Sequence, residues 1–127
     1  MTYGDIIKRL EGAMGPDREL DWRIADALNI PSKWSDSTIW PPFMKGSAID
    51  KEIPLFSSSI DASLALVERM LPDANCCGVE KDANGWNAYV SRNSVDTGHW
   101  LVEAATLTAP LAILLALFRA LEAKEAA

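Results

Sequence analysis

The residues with the clearest capacity for chemistry are arginines and aromatic residues in the second half of the chain. Arg92 ends a predicted strand and is followed by Asn93, and Arg119 lies in the last predicted helix. A planar guanidinium can hold a phosphate or a carboxylate through two hydrogen bonds. Trp86 and Tyr89 lie on opposite faces of one predicted strand, and each ring could stack on a nucleotide base. These residues predict a binding site for an anionic ligand that contains a base.

Two further candidates lie at the ends of the third predicted helix. Arg69 is near its end, and Ser57 belongs to the serine run 57–59 at its start, where hydroxyls and free backbone N–H groups suit an anion. Each candidate also has a purely structural interpretation. Surface arginines often pair with carboxylates, aromatic residues on core strands usually pack, and serines before a helix usually cap it. The sequence leaves both interpretations open.

Catalysis or metal binding would require patterns that the chain does not contain. His99 is the single histidine, and no nucleophile or acid accompanies it at a motif spacing. The seven glycines match neither a phosphate-binding loop nor a dinucleotide fingerprint. Cys76 and Cys77 are adjacent, so we expect buried, reduced thiols rather than a disulfide. We therefore expect no enzyme activity, no bound metal and no cofactor.

Composition narrows the class of protein. The chain has 127 residues and a net charge of −6, with a pI of about 4.7. An acidic protein is poorly suited to bind along a nucleic acid, which needs a basic stripe. The longest apolar run, 109–118, is shorter than the roughly 20 residues of a membrane span, and the first residues lack the features of a signal peptide. We expect one cytoplasmic domain over residues 1–127, without membrane contact.

The first part of the chain predicts two helices. Thr2 and Asp5 can form a capping box for a helix over residues 2–13. Asp17 can cap a second helix over residues 18–28. The link between them is very short, so the two helices should form a hairpin.

The segment 31–52 predicts a long irregular connection. It is rich in proline and serine, and it has room for one short strand around 38–40. Connections of this length inside a domain are usually functional or mobile. Trp34 and Trp40 lie in it and provide candidate contacts for a protein partner.

The second half of the chain predicts an antiparallel sheet. Three short extended segments follow one another, at 76–82, 86–92 and 99–104. Asn84-Gly85 lies between the first two and predicts a tight hairpin turn. The element order is then α-α-(β)-α-β-β-β-α. This order predicts an α+β domain in which helices sandwich a small antiparallel sheet of three to four strands.

Two more helices flank the predicted sheet. Ser58 can cap the helix before it, with Asp61 closing a capping box. The helix after it begins near Thr108, and its section 111–118 is apolar on every side. A helix that is apolar all round must be buried all round. Either helices or loops of the same chain or a second subunit must cover it. We expect a second subunit to cover part of it, which predicts a homo-oligomer, a dimer or larger.

Four segments together resemble a family of small phage and prophage proteins with an αβα sandwich domain. The segments are the capped helix 56–69, the N-terminal block 10–21, the Gly85-Trp86 pair, and the lead 103–112 into the final helix. The resemblance covers most of the chain except about 31–50. Its shared features are caps, a turn and helix starts, so it indicates a family rather than a chemistry.

The resemblance implies a role in the conflict between phages and bacteria. Some similar phage proteins are anti-defence sponges that bind the cyclic nucleotide signals of bacterial immunity. Examples of such signals are the cyclised ADP-ribose of the Thoeris system and the cyclic oligonucleotides of CBASS systems. These proteins hold the signal in pockets between subunits and do not cleave it. For this chain, the resemblance implies a nucleotide second messenger as partner, in the cytoplasm of an infected bacterium. The competing hypothesis is an interaction module that binds a host protein through the segment 31–52, without a small-molecule ligand.

Overall fold

Seven elements build the described part of the chain in the predicted order. The computed structural model describes residues 2–28, 55–74, 76–94 and 98–126. The elements are α1 (Tyr3–Gly12), α2 (Arg18–Ala27), α3 (Ile60–Met70), β1 (Cys76–Asp82), β2 (Gly85–Ser94), β3 (Gly98–Thr106) and α4 (Ala109–Ala126). This order confirms the α+β class. The predicted connection 31–52, with its strand near 38–40, Trp34 and Trp40, lies outside the described residues.

Local capping explains where the first two helices begin. The N–H of Asp5 donates to the Thr2 hydroxyl at 3.2 Å, and the Asp5 carboxylate accepts the Thr2 N–H at 3.0 Å, which confirms the predicted capping box. Asp17 accepts the N–H of Leu20 at 3.2 Å and caps α2 as predicted. Its carboxylate also pairs with Arg9 at 2.8 Å. This ion pair joins α1 to the start of α2.

The third helix begins one residue later than predicted. Ser58, the expected cap, instead donates its N–H to the carbonyl of Leu55 in a turn. Ser59 takes the capping position and accepts the N–H of Ala62 at 3.1 Å. Asp61 is then one position short of the place from which a capping box is closed. The turn before the helix therefore decides which serine caps it.

The three strands form one antiparallel sheet in the order β1-β2-β3. Asp82 pairs with Gly85, so the two-residue turn is Ala83-Asn84 and not the predicted Asn84-Gly85. Asp82 holds the turn by accepting the N–H of Asn84 at 2.8 Å. Gly85 opens β2 with a φ of +135°, and a Cβ there would lie 2.7 Å from the carbonyl oxygen of Thr106. Glycine is required at this position for both its conformation and its size.

The last helix lies at the centre of the core. It packs against all three strands and also against α1 and α3. Each residue of the section 111–118 is at most 3% exposed within a single chain. The expectation that a second subunit covers this section is therefore wrong, because the sheet and two helices already enclose it. The oligomeric state itself stays a prediction. Among the described helices, α4 included, none has the length and apolar character needed to cross a bilayer.

The two faces of the sheet differ in what covers them. Trp86, Ala88 and Val90 lie on the face that packs against α4, and Ala88 and Val90 are buried. Trp86 and Tyr89 therefore lie on opposite faces, as predicted. The other face carries Tyr89, 38% exposed, and Leu101, 58% exposed. No helix among the described residues covers this second face, which we call the open face. The register places there Cys76, Gly78, Glu80, Asn87, Tyr89, Leu101, Glu103 and Ala105.

Candidate functional site

A groove of about 420 Å³ lies on the open face of the sheet. Its lining includes Glu80, Asn87, Tyr89, Glu103, Ala105 and Arg119. The side chain at 105 is only a methyl group, which leaves space beside Asn87, its partner on β2. Two of the predicted ligand residues, Tyr89 and Arg119, come together here from different elements of the fold.

Tyr89 lies across the neighbouring strand. A Cβ at Gly78 would be 2.8 Å from its ring, so the ring rests directly on the backbone of β1. The Cys76 thiol lies 3.8 Å from the Tyr89 hydroxyl, and this contact raises the pKa of Tyr89 above its usual value. The phenol therefore stays protonated and neutral at neutral pH. It can offer a ring face and an O–H donor, but it is not suited to act as a base.

Both cysteines are free and exposed, which corrects the expectation of buried thiols. They lie on β1, the strand at one edge of the sheet, where no further described strand covers them. The pKa of Cys77 is raised above its usual value. The main cause is partial burial of the thiol, and the nearby Cys76 and Glu68 add to it through charge repulsion. This thiol is therefore held in its protonated, weakly nucleophilic form at neutral pH.

Arg119 reaches the groove from α4 and is already engaged. One terminal nitrogen donates to the carbonyl oxygen of Glu103 at 3.1 Å, and the other pairs with Glu11 of α1 at 2.9 Å. The side chain is 36% exposed. It fixes the outer side of β3 to α1 and presents part of its charge at the rim of the groove. A phosphate bound there would have to share the guanidinium with Glu11.

The carboxylates of the groove were missed by the sequence analysis. Glu80 and Glu103 are exposed on the open face, and Glu103 is the cross-strand partner of Tyr89. Asp82 lies at the end of the same face, where its pKa is lowered first by the N–H of Asn84 and then by the amide of Asn87. The alternation in each strand, combined with the hairpin register, could have placed these acids beside Tyr89.

Three other predicted ligand residues lie away from the groove. Trp86 is half-buried on the opposite face of the sheet and packs against the core. Arg92 shares that opposite face and lies 3.4 Å from the carboxylate of Asp73. Arg69 lies in the last turn of α3, which packs against α4 rather than against the open face. Packing and ion pairing therefore explain these three residues better than contact with a ligand in the groove.

Ser57 is the clearest correction among the predicted ligand residues. It is 1% exposed, its hydroxyl accepts the N–H of Asp17 at 2.8 Å, and the same hydroxyl donates to the Asp17 carbonyl at 3.1 Å. Its own N–H donates to the carboxylate of Asp21 at 2.8 Å. A phosphate contact is excluded here, because the atoms are buried and a carboxylate already occupies the anion position. For Asn93, the structure describes only the backbone, which pairs with His99 in β3.

The described side chains of the groove can bind a ligand through charge, hydrogen bonds and a ring face. Within residues 2–28, 55–74, 76–94 and 98–126, no group of three or more His, Cys, Asp or Glu side chains is placed to hold a metal ion. What the groove does combine is an aromatic ring, an arginine at its rim, an amide and two carboxylates. Comparisons of this chain with protein-family models, with curated proteins and with solved structures gave no match.

Proposed function

We propose that this protein binds a nucleotide signal and sequesters it without changing it chemically. In this proposal it is a phage anti-defence protein, and its ligand is a cyclic nucleotide of bacterial immunity, of the cyclic ADP-ribose or cyclic oligonucleotide type. It would act in the cytoplasm of the infected cell, as a homo-oligomer. The resemblance to the phage sandwich family suggests the biological role, and the groove on the open face suggests the binding mode.

One observation carries the binding mode: Tyr89 and Arg119 line the same open groove. Stacking of one base on an aromatic ring is worth about 1–3 kcal/mol. Tyr89 is suited to this role because it is exposed and its ring is held against Gly78. Arg119 is suited to hold a phosphate at the rim. A volume of about 420 Å³ falls within the usual range of small-molecule sites.

Isothermal titration calorimetry with a panel of cyclic nucleotides tests the proposal. Tyr89→Ala should weaken the binding of the tightest ligand by about 5- to 150-fold, the equivalent of one stacked base. Trp22→Ala is the matched control, because Trp22 is a similarly exposed aromatic residue that lies on α2, outside the groove. Failure of the folded protein to bind any member of the panel would contradict the proposal.

Sequestration is distinguished from turnover by the fate of the ligand. The complex is incubated, heat-denatured and analysed by chromatography. Recovery of the unchanged nucleotide in stoichiometric amount supports sequestration. Appearance of a linear or hydrolysed product would instead identify an enzyme.

A second candidate function, a protein-interaction module, is favoured by the exposed apolar and acidic groups of the open face. Leu101 is 58% exposed next to Glu103, and the described strand residues that the register places on this face include no lysine or arginine. A basic segment of a host protein would complement these charges. In that case Leu101→Ala should abolish co-purification of the host protein, whereas Arg119→Ala should leave it unchanged.

A further inference from the structure

β1 is an edge strand of the sheet, and no described strand pairs with its outer side. Along a strand of an antiparallel ladder, the backbone N–H and C=O groups point alternately towards one neighbour and away from it. The Ser91 hydroxyl of β2 donates to the Cys76 carbonyl at 3.5 Å, so the backbone groups of Cys76 point towards β2. The alternation then directs the backbone groups of Cys77, Val79 and Lys81 away from β2. No described residue forms a hydrogen bond with these outward groups.

The two edges of the sheet differ in what covers them. At β3, Arg119 donates to the Glu103 carbonyl and pairs with Glu11 of α1, so the chain itself covers part of that edge. At β1, three N–H donors and three C=O acceptors have no described partner. A row of this kind is a template for a further strand. β1 is therefore the edge to which another chain can be added.

A second copy of β1 satisfies all of these groups when a two-fold axis, perpendicular to the sheet, passes between the two copies of Val79. In this antiparallel register Val79 lies opposite its own copy, and Cys77 of each chain lies opposite the partner's Lys81. Each of these pairs exchanges two backbone hydrogen bonds, so no outward N–H or C=O of β1 is left over. An axis at Lys81 would instead bring two lysines together and leave Cys77 without a partner in β1.

The charged end of β1 is compatible with the register centred on Val79. Glu80 then lies opposite the partner's Gly78. Asp82 lies opposite the partner's Cys76, so each carboxylate has an uncharged residue across from it. An axis at Glu80 would place two carboxylates directly opposite each other, which destabilises a strand pair. Charges on an edge strand often oppose pairing with other chains, whereas here they select one register of the pair.

On the open face, Tyr89 provides a hydrogen-bond donor at the junction. The hydroxyl end of its ring lies above Gly78, and the hydroxyl oxygen accepts from the Cys76 thiol at 3.8 Å. The hydroxyl can still donate its own proton. The partner's Glu80 lies opposite Gly78 on the same face, so its carboxylate is placed to accept this proton.

On the face that packs against the helices, the junction brings opposite charges together. The pKa of Cys77 is raised by burial and by the charges of Cys76 and Glu68, so the Glu68 carboxylate of α3 lies near this thiol. The partner's Lys81 lies opposite Cys77 and carries the charge that complements Glu68. Because the axis is two-fold, each contact across the junction forms twice.

We propose that two copies of this chain pair through the outer sides of β1, antiparallel about a two-fold axis at Val79. The three strands of each copy then form one continuous sheet, with both sets of helices on the same side. This pairing needs no nucleotide and goes beyond the proposed function, which does not specify how subunits meet.

Cross-linking tests the register directly. Cys76 lies opposite the partner's Asp82 in a pair without backbone hydrogen bonds, where the Cα atoms are about 4.5 Å apart, within the range of a disulfide. Asp82→Cys treated with oxidised glutathione should therefore form a covalent dimer on a non-reducing gel. The controls are the unaltered protein and Asp82→Cys combined with Cys76→Ser, and both should migrate as single chains.

Sedimentation velocity of the full chain, without ligand, measures the pairing itself. At micromolar concentration the unaltered protein should sediment as a dimer. Lys81→Glu places a carboxylate near the partner's Glu68 and should raise the dissociation constant of the dimer about tenfold or more. Lys8→Glu is the matched control, because it makes the same change of charge at an exposed position of α1 and should leave this constant unchanged.

A protein that sediments as a monomer at micromolar concentration would overturn the inference, because the edge of β1 would then hold no second copy. A dimer that resists Lys81→Glu and does not cross-link through Asp82→Cys would overturn it as well, because its interface would lie elsewhere. Neither result decides nucleotide binding, which calorimetry with the Tyr89→Ala variant tests separately.

Discussion

Asp21 is the buried acceptor that ties the segment before α3 to α2, and its replacement tests how this joint is held. Its side chain is fully buried and accepts the N–H of Ser57 at 2.8 Å and the guanidinium of Arg18 at 2.7 Å. Ser57 in turn exchanges two hydrogen bonds with the backbone of Asp17. One connected set of bonds therefore holds together two segments that are distant in sequence.

The loss in the free energy of unfolding depends on whether a substitution removes the acceptor oxygen of Asp21 or only its charge. Asp21→Ala leaves the buried N–H of Ser57 without an acceptor, which costs about 1–3 kcal/mol, and removes a charged hydrogen bond from Arg18 worth about 1.5–3 kcal/mol. The Arg18 side chain is 29% exposed, so water replaces part of the second contribution. We expect the free energy of unfolding to fall by about 3 kcal/mol. Asp21→Asn keeps an oxygen acceptor for Ser57 but loses the charged bond from Arg18, and it should cost about 1–2 kcal/mol at pH 7.

The pH dependence follows from the pKa of Asp21. Burial raises the pKa of this carboxyl above its usual value, and the bonds from Ser57 and Arg18 oppose the rise only in part. The folded state therefore binds the proton more tightly than the unfolded state. The contribution of Asp21 to the free energy of unfolding then falls as pH rises from the unfolded pKa through the folded pKa. Asparagine does not titrate, so the cost of Asp21→Asn should shrink as pH rises from about 4 towards neutrality.

Urea unfolding followed by tryptophan fluorescence measures these differences, since the chain contains five tryptophans. Asp26→Ala, at an exposed position of the same helix, is the control and should change the free energy of unfolding by less than about 0.5 kcal/mol. If Asp21→Asn costs as much as Asp21→Ala, the charge and not the acceptor holds the joint, and the reasoning is refuted. A cost below about 1 kcal/mol for Asp21→Ala would refute it equally.

Three further substitutions test individual features of the fold and of the groove. Thr2→Ala removes the acceptor of the capping box and should lower the free energy of unfolding by about 1 kcal/mol in thermal or urea unfolding; no change would show that the first turn does not contribute. Gly78→Ala places a methyl group 2.8 Å from the Tyr89 ring, so it should displace the ring and weaken nucleotide binding in calorimetry, while the urea midpoint changes little. Unaltered affinity in Gly78→Ala would mean that the position of the ring does not matter. Gly85→Ala forces a residue with a Cβ into a φ of +135° and places that Cβ 2.7 Å from the Thr106 carbonyl. The free energy of unfolding measured in urea should therefore fall by more than about 1 kcal/mol. An unchanged free energy of unfolding with an intact hairpin would contradict this expectation.

The sequence by itself determined the local elements, because their causes are local. Capping of α1 by Thr2 and of α2 by Asp17 depends on residues three positions apart, and both predictions are confirmed. The alternation in β2 correctly placed Trp86 and Tyr89 on opposite faces of the sheet. Errors of one residue arose where two neighbouring residues could serve the same purpose. The cap moved from Ser58 to Ser59, and the turn moved from Asn84-Gly85 to Ala83-Asn84.

Only the tertiary structure decided what lies next to what. The apolar section 111–118 requires burial, but its sequence does not say whether a partner chain or the chain's own sheet and helices supply it. Ser57 was predicted to contact an anion, and the structure shows it buried beside Asp21 instead. The sequence around Ser57 could not reveal this burial, because Asp21 lies far away along the chain. The groove has the same origin: packing and strand register bring Tyr89 and Arg119 together with two carboxylates that no local pattern connects to them. Periodicity tells which face a residue occupies, whereas long-range packing decides which faces meet and which stay open.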